Sequence, residues 1–478
     1  MWYYLCRMFV GRDSYLTRLS QELKRVRQEG RGRFVLLRGR RRVGKSRLVE
    51  EFLRRERPSA LYFTASKQSA SRELQLFTEA LAQSGLPAGR LVTSGTSVGS
   101  WEAALNLIAA PVGDEPAVLV IDELPYLLDG DRALEGTLQK VWDRYLQELP
   151  ILLIVIGSDL AMMEALTEYG RPLYGRPTTV MTVRPFSPLE LGEMLKLSPR
   201  DALDAYVILG GLPFLARSWE SGDDIWAFLE RELADPSSPL VIDGERILNA
   251  EFPTAIHARR VLASIGAGET TFAAMGRSAG IQATSLTRAL DALIEGKNVV
   301  AVDKPLCGKT TTSRLKRYRI SDPYLRFWLT FIEPSLSEIE RERGRVVLQR
   351  IRSRWADYRG RAIEPVIRES VEMLLPDLRF DDALHVGGYW NRTDQEVDLV
   401  LSREPTSPTA IVAAGSIKWR ERKPFSRGDR DDLARAVALI PGASKRTQLV
   451  GVSATGFAST GLDVELDPED LINAWEKP

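Results

Sequence analysis

Gly39-Arg40-Arg41-Arg42-Val43-Gly44-Lys45-Ser46 fits the pattern G-x-x-x-x-G-K-[ST], a spacing suited to cradling phosphate. The glycines let successive main-chain N–H groups curl around a phosphate, and a following helix adds the positive end of its dipole. Lys45 then neutralises β- and γ-phosphate charge, and Ser46 offers an oxygen to Mg²⁺. The expected ATP contacts are Gly39, Arg40, Arg41, Arg42, Val43, Gly44, Lys45, Ser46 and Arg47. A second group, Asp122-Glu123, closes the apolar run Ala117-Val118-Leu119-Val120-Ile121. There Asp122 holds Mg²⁺ through water and Glu123 polarises an attacking water, although two acids also suit a helix start. A third group, Gly157-Ser158, follows another apolar run. Its hydroxyl either senses the γ-phosphate or, like Asp159, caps the next helix.

These groups need a frame that brings them together. Residues 9–185 alternate buried-strand patterns (34–38, 60–64, 117–122, 151–157, 179–183) with helical ones (45–55, 71–83, 101–110, 132–148, 160–167). That alternation predicts an α/β fold with a parallel sheet covered on both faces, whose strand carboxyl ends line a ligand crevice. Residues 187–234 turn helical, broken by Gly210-Gly211-Leu212-Pro213, as a small lid would be. Helices near 258–265, 271–278 and 284–295, followed by a two-stranded wing in 298–320, have helix-turn-helix spacing, with 284–294 as the recognition helix. From Asp322 the chain is aromatic, with a helical link through 336–372 and a strand-rich block from about 380 to 478.

Bulk properties set outer bounds. The 478 residues allow about three domains at roughly 150 residues each, and 44% apolar with 27% charged residues is an ordinary globular balance. Sixty-five Lys and Arg against 64 Asp and Glu give no global case for nucleic acid, so a basic surface must be local. Cys6 and Cys307 have no metal or redox spacing, which fits a reducing cytoplasm. Arg7 interrupts the apolar start at once, which argues against a signal peptide, and Met8 is an alternative start. Apolar runs such as 151–156 fall well short of the ~20 residues that cross a bilayer, so a soluble cytoplasmic protein without a membrane partner is expected.

The ordered set of motifs resembles the archaeal-type ATPase family, relatives of the AAA+ and STAND NTPases. It includes Phe9-Val10-Gly11-Arg12-Asp13, the phosphate loop with Arg41-Arg42, Asp122-Glu123, Gly157-Ser158, Pro172-Leu173-Tyr174-Gly175-Arg176 and Gly210-Gly211-Leu212-Pro213. It continues through Tyr318-Arg319-Ile320-Ser321-Asp322 and Leu325-Arg326-Phe327-Trp328, nearly the whole chain. The resemblance implies a P-loop NTPase core (1–186), a helical lid (187–250), a winged helix-turn-helix (251–320), and linker helices with a restriction-endonuclease-like domain (321–478). It implies that Val10, Gly11 and Arg12 pack near adenine and that Pro213 closes the base pocket from the lid. Arg176 resembles a conditional arginine finger acting in cis or from a neighbouring subunit of a homo-oligomer; the alternative is a structural arginine in a Pro/Gly turn. The family usually has proline where Arg40 stands, a departure that adds charge and removes no cradle residue.

The helix-turn-helix segment carries Arg277, Lys297, Lys304, Lys309, Arg314, Lys316 and Arg317, with Thr284, Ser285, Thr287 and Arg288 as candidates for a groove of double-stranded DNA. Packing within the chain is the competing role. The last block resembles a nuclease-like domain in which a helix glutamate, a strand aspartate and an acid-x-lysine hold Mg²⁺ and activate water. Glu364, Asp398 and Lys418 match, but Ser416 stands where an acid is expected, and a hydroxyl brings no charge. Glu396, two residues before Asp398, is either a migrated ligand or part of an ion network. His385 reads as a loop or edge residue. The expected function is an ATP-binding, ATP-hydrolysing switch coupled to DNA, with the nuclease-like domain inactive. The alternatives are a nucleotide-gated, Mg-dependent endonuclease and a DNA-binding regulator that holds ATP without significant turnover.

Overall fold

The computed structural model describes residues 9–96, 98–109, 115–252, 256–306, 315–375, 377–380, 382–391, 395–407 and 410–476. Cys6, Met8, Cys307, Lys309 and Arg314 lie outside them. The chain forms two compact units, Met1–Pro185 and Phe186–Pro478.

In the first unit the order is α1 (Asp13–Glu29), β1 (Arg33–Arg38), α2 (Lys45–Glu56), β2 (Ser59–Thr64), α3 (Ala70–Gln83), α4 (Pro87–Thr93) and α5 (Trp101–Ala109). There follow β3 (Ala117–Asp122), α6 (Leu124–Gly130), α7 (Leu134–Arg144), β4 (Ile151–Gly157), α8 (Leu160–Ala165) and β5 (Thr179–Thr182). All five strands run parallel in the order β2-β3-β4-β1-β5. β3 and β4 are buried along their whole length, because helices cover both faces of a parallel sheet and leave no polar side. A core of Phe34, Leu36, Leu119, Leu153 and Trp142 locks the sheet to α7, with Phe34 and Trp142 rings 5.3 Å apart. The expected five strands are all present. The single helix expected over 132–148 is instead α7 and a separate 3-10 turn, Leu146–Glu148, because Tyr145 leaves helical geometry between them. Helices α1, α4 and α6 were not anticipated.

The second unit begins with α9 (Pro188–Leu195), α10 (Pro199–Leu209), α11 (Pro213–Ala216), α12 (Ile225–Ala234) and α13 (Pro239–Glu251). Next come α14 (Ile256–Gly266), α15 (Phe272–Ala279) and α16 (Ala283–Asp291), then the antiparallel pair β6 (Val300–Asp303) and β7 (Arg317–Ile320). α17 (Pro323–Phe327) runs into a π turn whose Trp328 donates from Nε1 to the Val241 carbonyl at 2.7 Å. Gly244 is required there, since a Cβ would sit 2.1 Å from that indole. α18 (Leu336–Ile339) and the 31-residue α19 (Gly344–Leu374) lead to β8 (His385–Trp390), β9 (Glu396–Ser402) and β10 (Ile411–Lys418). β11 (Phe425–Ser426), α20 (Arg427–Val437), β12 (Gln448–Ser453), β13 (Phe457–Ala458), β14 (Val464–Leu466) and α21 (Pro468–Asn473) complete it. The C-terminal sheet is mixed, in the order β14-β12-β10-β9-β8: β8, β9 and β10 pair antiparallel, and β12 and β14 join parallel.

Candidate nucleotide site

The 39–46 loop leaves the carboxyl end of β1 and enters α2 at Lys45. Two of its residues hold left-handed backbone, Arg42 at φ 67° and Gly44 at φ 89°, which turns their N–H groups out of helical register. A Cβ on Gly39 would meet the Val183 carbonyl at 2.4 Å, so the residue just past β5 backs the loop and glycine is the residue that fits. Lys45 is buried, and its Nζ donates to the carbonyls of Gly39 (2.7 Å) and Arg40 (2.9 Å), closing the loop into a ring. Arg12 is also buried and donates to the Val43 carbonyl at 3.2 Å, with its guanidinium 5.6 Å from the Tyr15 ring. The segment Val10-Gly11-Arg12 is thus hooked onto the loop. Arg41 donates to the Tyr126 hydroxyl at 2.8 Å, and Arg47 is an exposed partner of Glu50.

β3 delivers the acids. Asp122 is buried; its Oδ1 accepts from the Glu123 N–H (2.9 Å) and its Oδ2 from the Tyr62 hydroxyl (2.7 Å). Tyr62 comes from the neighbouring strand β2, and its hydroxyl also reaches the Ser46 side chain. One phenol therefore connects the two oxygens that would meet a hard cation. Burial and the charge of Asp122 push that phenol well above its usual range, so it stays a donor at every physiological pH. Glu123 sits at φ 56°, a conformation uncommon for a residue with a Cβ, and its Oε2 accepts from Ser158 Oγ at 2.8 Å. The capping role at α8 falls to Asp159, which accepts from the Met162 N–H, leaving the Ser158 hydroxyl to Glu123. Arg176 makes a two-pronged pair with Asp143 (3.2 and 3.0 Å) and also donates to the Tyr174 carbonyl. In this conformation it behaves as the structural arginine of its turn.

The geometry places the 39–46 loop, the Lys45 ammonium, the Ser46 and Asp122 oxygens and the Glu123 carboxylate at one end of one parallel sheet. Residues 9–215 match a family described as an ATPase domain predominantly from Archaea. These residues are an archaeal-type ATPase domain. Residues 328–429 match a second family, described as archaeal and bacterial proteins of unknown function. An uncharacterized protein of Methanocaldococcus jannaschii is 26% identical over 443 residues, covering 91% of this chain and 92% of its own. Among solved structures, the Walker-type ATPase of Pyrococcus abyssi is 20% identical at a TM-score of 0.47, covering 67% of this chain and 95% of that one. The ORC2 protein of Aeropyrum pernix is 16% identical at a TM-score of 0.40, covering 71% and 94%.

Tyr62 carries no motif in the sequence, because its partner is set by strand order. Removing its hydroxyl breaks one charge-assisted hydrogen bond to Asp122, worth about 1.5 kcal/mol or somewhat more. Tyr62→Phe is therefore expected to raise the Mg²⁺ concentration for half-maximal hydrolysis by about tenfold. Nucleotide binding without metal should be unchanged, and a magnesium titration of steady-state turnover checks both. Pro213 begins α11 in the second unit, at its first turn, where a proline lacks no needed N–H.

The second candidate cluster has other commitments. Glu396 is paired by both oxygens with Arg317, whose guanidinium lies 4.5 Å from the Trp390 ring centre. Asp398 accepts from Ser416 Oγ (3.0 Å) and the Ile417 N–H (2.8 Å). Lys418 ends β10, on the strand that also carries Ser416. Glu364 on α19 pairs with Arg368 at 3.0 Å. Among the described residues no three His, Cys, Asp or Glu side chains form a metal-ligating group.

Burial pushes the Glu364 carboxyl up to about 7; Arg368 works against this, and Asp398 and Glu396 add to it. Between the ordinary value of 4.5 and about 7 the folded chain holds a proton that the unfolded chain has released. This contribution to stability is full below about 4.5 and is lost as pH rises through 7. The shift corresponds to at most about 3 kcal/mol, and to about 2 once partial exposure of the side chain is allowed for. Thermal unfolding between pH 5 and 8 should accordingly show a steeper fall in midpoint for the natural protein than for Glu364→Gln.

Proposed function

We propose that ATP turnover in this domain, assisted by Mg²⁺, drives a switch that controls contact with double-stranded DNA. Ser46 and Asp122 supply the oxygen ligands that suit a hard divalent cation, which would neutralise charge on the transferred phosphate. Lys45 holds the β/γ-phosphates, and Glu123 orients the water. The observation that carries the reading is the Ser158–Glu123 hydrogen bond. An acid that already accepts from a neighbouring hydroxyl is a weaker base toward water, and Arg176 must leave Asp143 before it can act as a finger. Both features support slow hydrolysis that a partner or conformational change accelerates.

We assign DNA contact to the helix-turn-helix of α15 and α16 with the strands β6 and β7, within a proposed division into lid (187–250), winged helix (251–320) and C-terminal part (321–478). Arg277, Thr284, Thr287, Arg288 and Lys304 are exposed there, Ser285 and Lys316 half-buried. Lys297 and Arg317 are taken up in ion pairs with Glu251 and Glu396, so they belong to packing. The nuclease reading is disfavoured by the serine at 416 and by the pairing of Glu396 with Arg317.

The test compares a labelled duplex bound by Glu123→Gln with ATP and by the natural protein with ADP. Affinities differing by fivefold or more, with Arg288→Glu weakening the tighter state, are the expected result. Equal affinities in both nucleotide states reject the switch, and cleavage of the duplex with Mg²⁺ or Mn²⁺ restores the endonuclease alternative.

A further inference from the structure

A cavity of about 490 Å³ lies in the second unit, bordered by the strands β6 and β7, the helices α17 and α19, and the edge strand β8. The motif segments 318–322 and 325–328, which the nucleotide site does not use, line it through Arg319 and Arg326. Arg326 is half-buried, and its guanidinium has no hydrogen bond or ion pair among the described residues. An ionised group removed from water is costly unless an opposite charge meets it. Burial holds this guanidinium below its ordinary range; Arg319 adds to the effect, while Tyr358 and Glu364 oppose it. On the same cavity the Tyr206 hydroxyl also lacks a partner among the described residues. Neither group is sealed: both keep accessible surface, and both side chains line the cavity.

Other charges around the cavity are already committed. Arg319 donates from Nε to both oxygens of Asp303, at 3.2 and 2.9 Å. Arg368 donates to the Glu364 carboxylate (3.0 Å) and to the Asp398 carbonyl (2.8 Å). It lies so close to β8 that a Cβ on Gly388 would come 2.8 Å from its Nη2. Glu364 is thus engaged by Arg368, and Arg326 goes unanswered. Lys304 is exposed at the rim and likewise has no ion pair among the described residues. Glu369 and Glu372 border the cavity from α19, both exposed.

We propose that this cavity binds a small phosphomonoester bearing hydroxyl groups, of the sugar phosphate or nucleoside monophosphate class. The planar fork of Arg326 matches two phosphate oxygens, and the Tyr206 hydroxyl offers a further donor. Burial, with the charge of Glu369 next, keeps that phenol above its ordinary range, so it remains a donor. A phosphomonoester carries a charge of about −1.5 to −2 at pH 7, which answers Arg326 and Lys304 together. A carboxylate brings one charge and leaves a cation unanswered. Glu369 and Glu372 repel a bare anion but accept from ligand hydroxyls, which favours an ester over inorganic phosphate. The volume lies within the roughly 300–1,000 Å³ range of small-molecule sites.

The experiment uses the whole protein with a non-hydrolysable ATP analogue saturating the phosphate-loop site. Ribose 5-phosphate, AMP, ribose and inorganic phosphate are titrated separately by calorimetry. At least one of the two esters should bind at one site per chain, about tenfold or more tighter than ribose or phosphate. Arg326→Gln should weaken that ester about 100-fold and Tyr206→Phe about tenfold, while affinity for the ATP analogue holds. Lys304→Gln, at an exposed position, should weaken it about three- to fivefold. Thermal unfolding confirms that the variants are folded; should Arg326→Gln not fold, the other two carry the test. Binding of neither ester, equal affinity for ribose, or unchanged affinity in both Tyr206→Phe and Lys304→Gln overturns the proposal. So does loss of duplex binding in Arg326→Gln without ester uptake by the natural protein, which would assign the cation to DNA phosphate.

Discussion

Glu123→Gln is expected to bind ATP within about twofold of the natural protein and to turn it over about 10²–10⁴-fold more slowly. Glutamine keeps the volume and can still accept from Ser158, so the strained φ of 56° and the end of β3 need not change. What disappears is the negative charge that, in the proposed mechanism, draws a proton from water. Asp122, one residue earlier, keeps its bonds to Tyr62 and to the main chain, so the proposed metal ligand stays in place. Single-turnover hydrolysis alongside equilibrium binding separates the two quantities. Hydrolysis at the natural rate would remove Glu123 from the mechanism.

Lys45→Ala is expected to lower ATP affinity by about 100-fold or more. The buried ammonium has two carbonyl partners in its own loop, and phosphate oxygens would compete for the same donors. Deleting it removes two charge-assisted hydrogen bonds of about 1.5–3 kcal/mol each and leaves phosphate charge unneutralised. It also unties Gly39 and Arg40, so the loop loses part of its closure. Fluorescent-nucleotide binding measures the affinity, and circular dichroism confirms that the sheet is intact. Affinity within threefold of the natural protein would contradict the role given to Lys45.

Much of the first unit was legible in the sequence because fully buried parallel strands read as unbroken apolar runs. The run ending at Asp122 and the run ending at Gly157 gave β3 and β4 nearly to the residue. Helix α1 carries a buried stripe at helical spacing, Leu16, Leu19, Leu23 and Val26, but no chemical motif marks it. α4 is short and starts on a proline, so its periodicity never accumulates.

Site contacts divide in the same way. A loop motif is local, so Gly39, Lys45 and Ser46 announce themselves. Contacts across strands require strand order: Tyr62 reaches Asp122 because β2 lies beside β3, and Ser158 reaches Glu123 because β4 flanks β3 on its other side. Composition alone could not show that Arg317, 79 residues from Glu396, would claim that carboxylate.

In the proposed function Lys45, Ser46 and Asp122 form a working MgATP site. Titrating MgATP into the folded natural protein by calorimetry tests it most directly. Saturable uptake at one site per chain, lost in Lys45→Ala and retained in Glu123→Gln, is the predicted result. Absence of heat from a well-folded sample with magnesium present would contradict it.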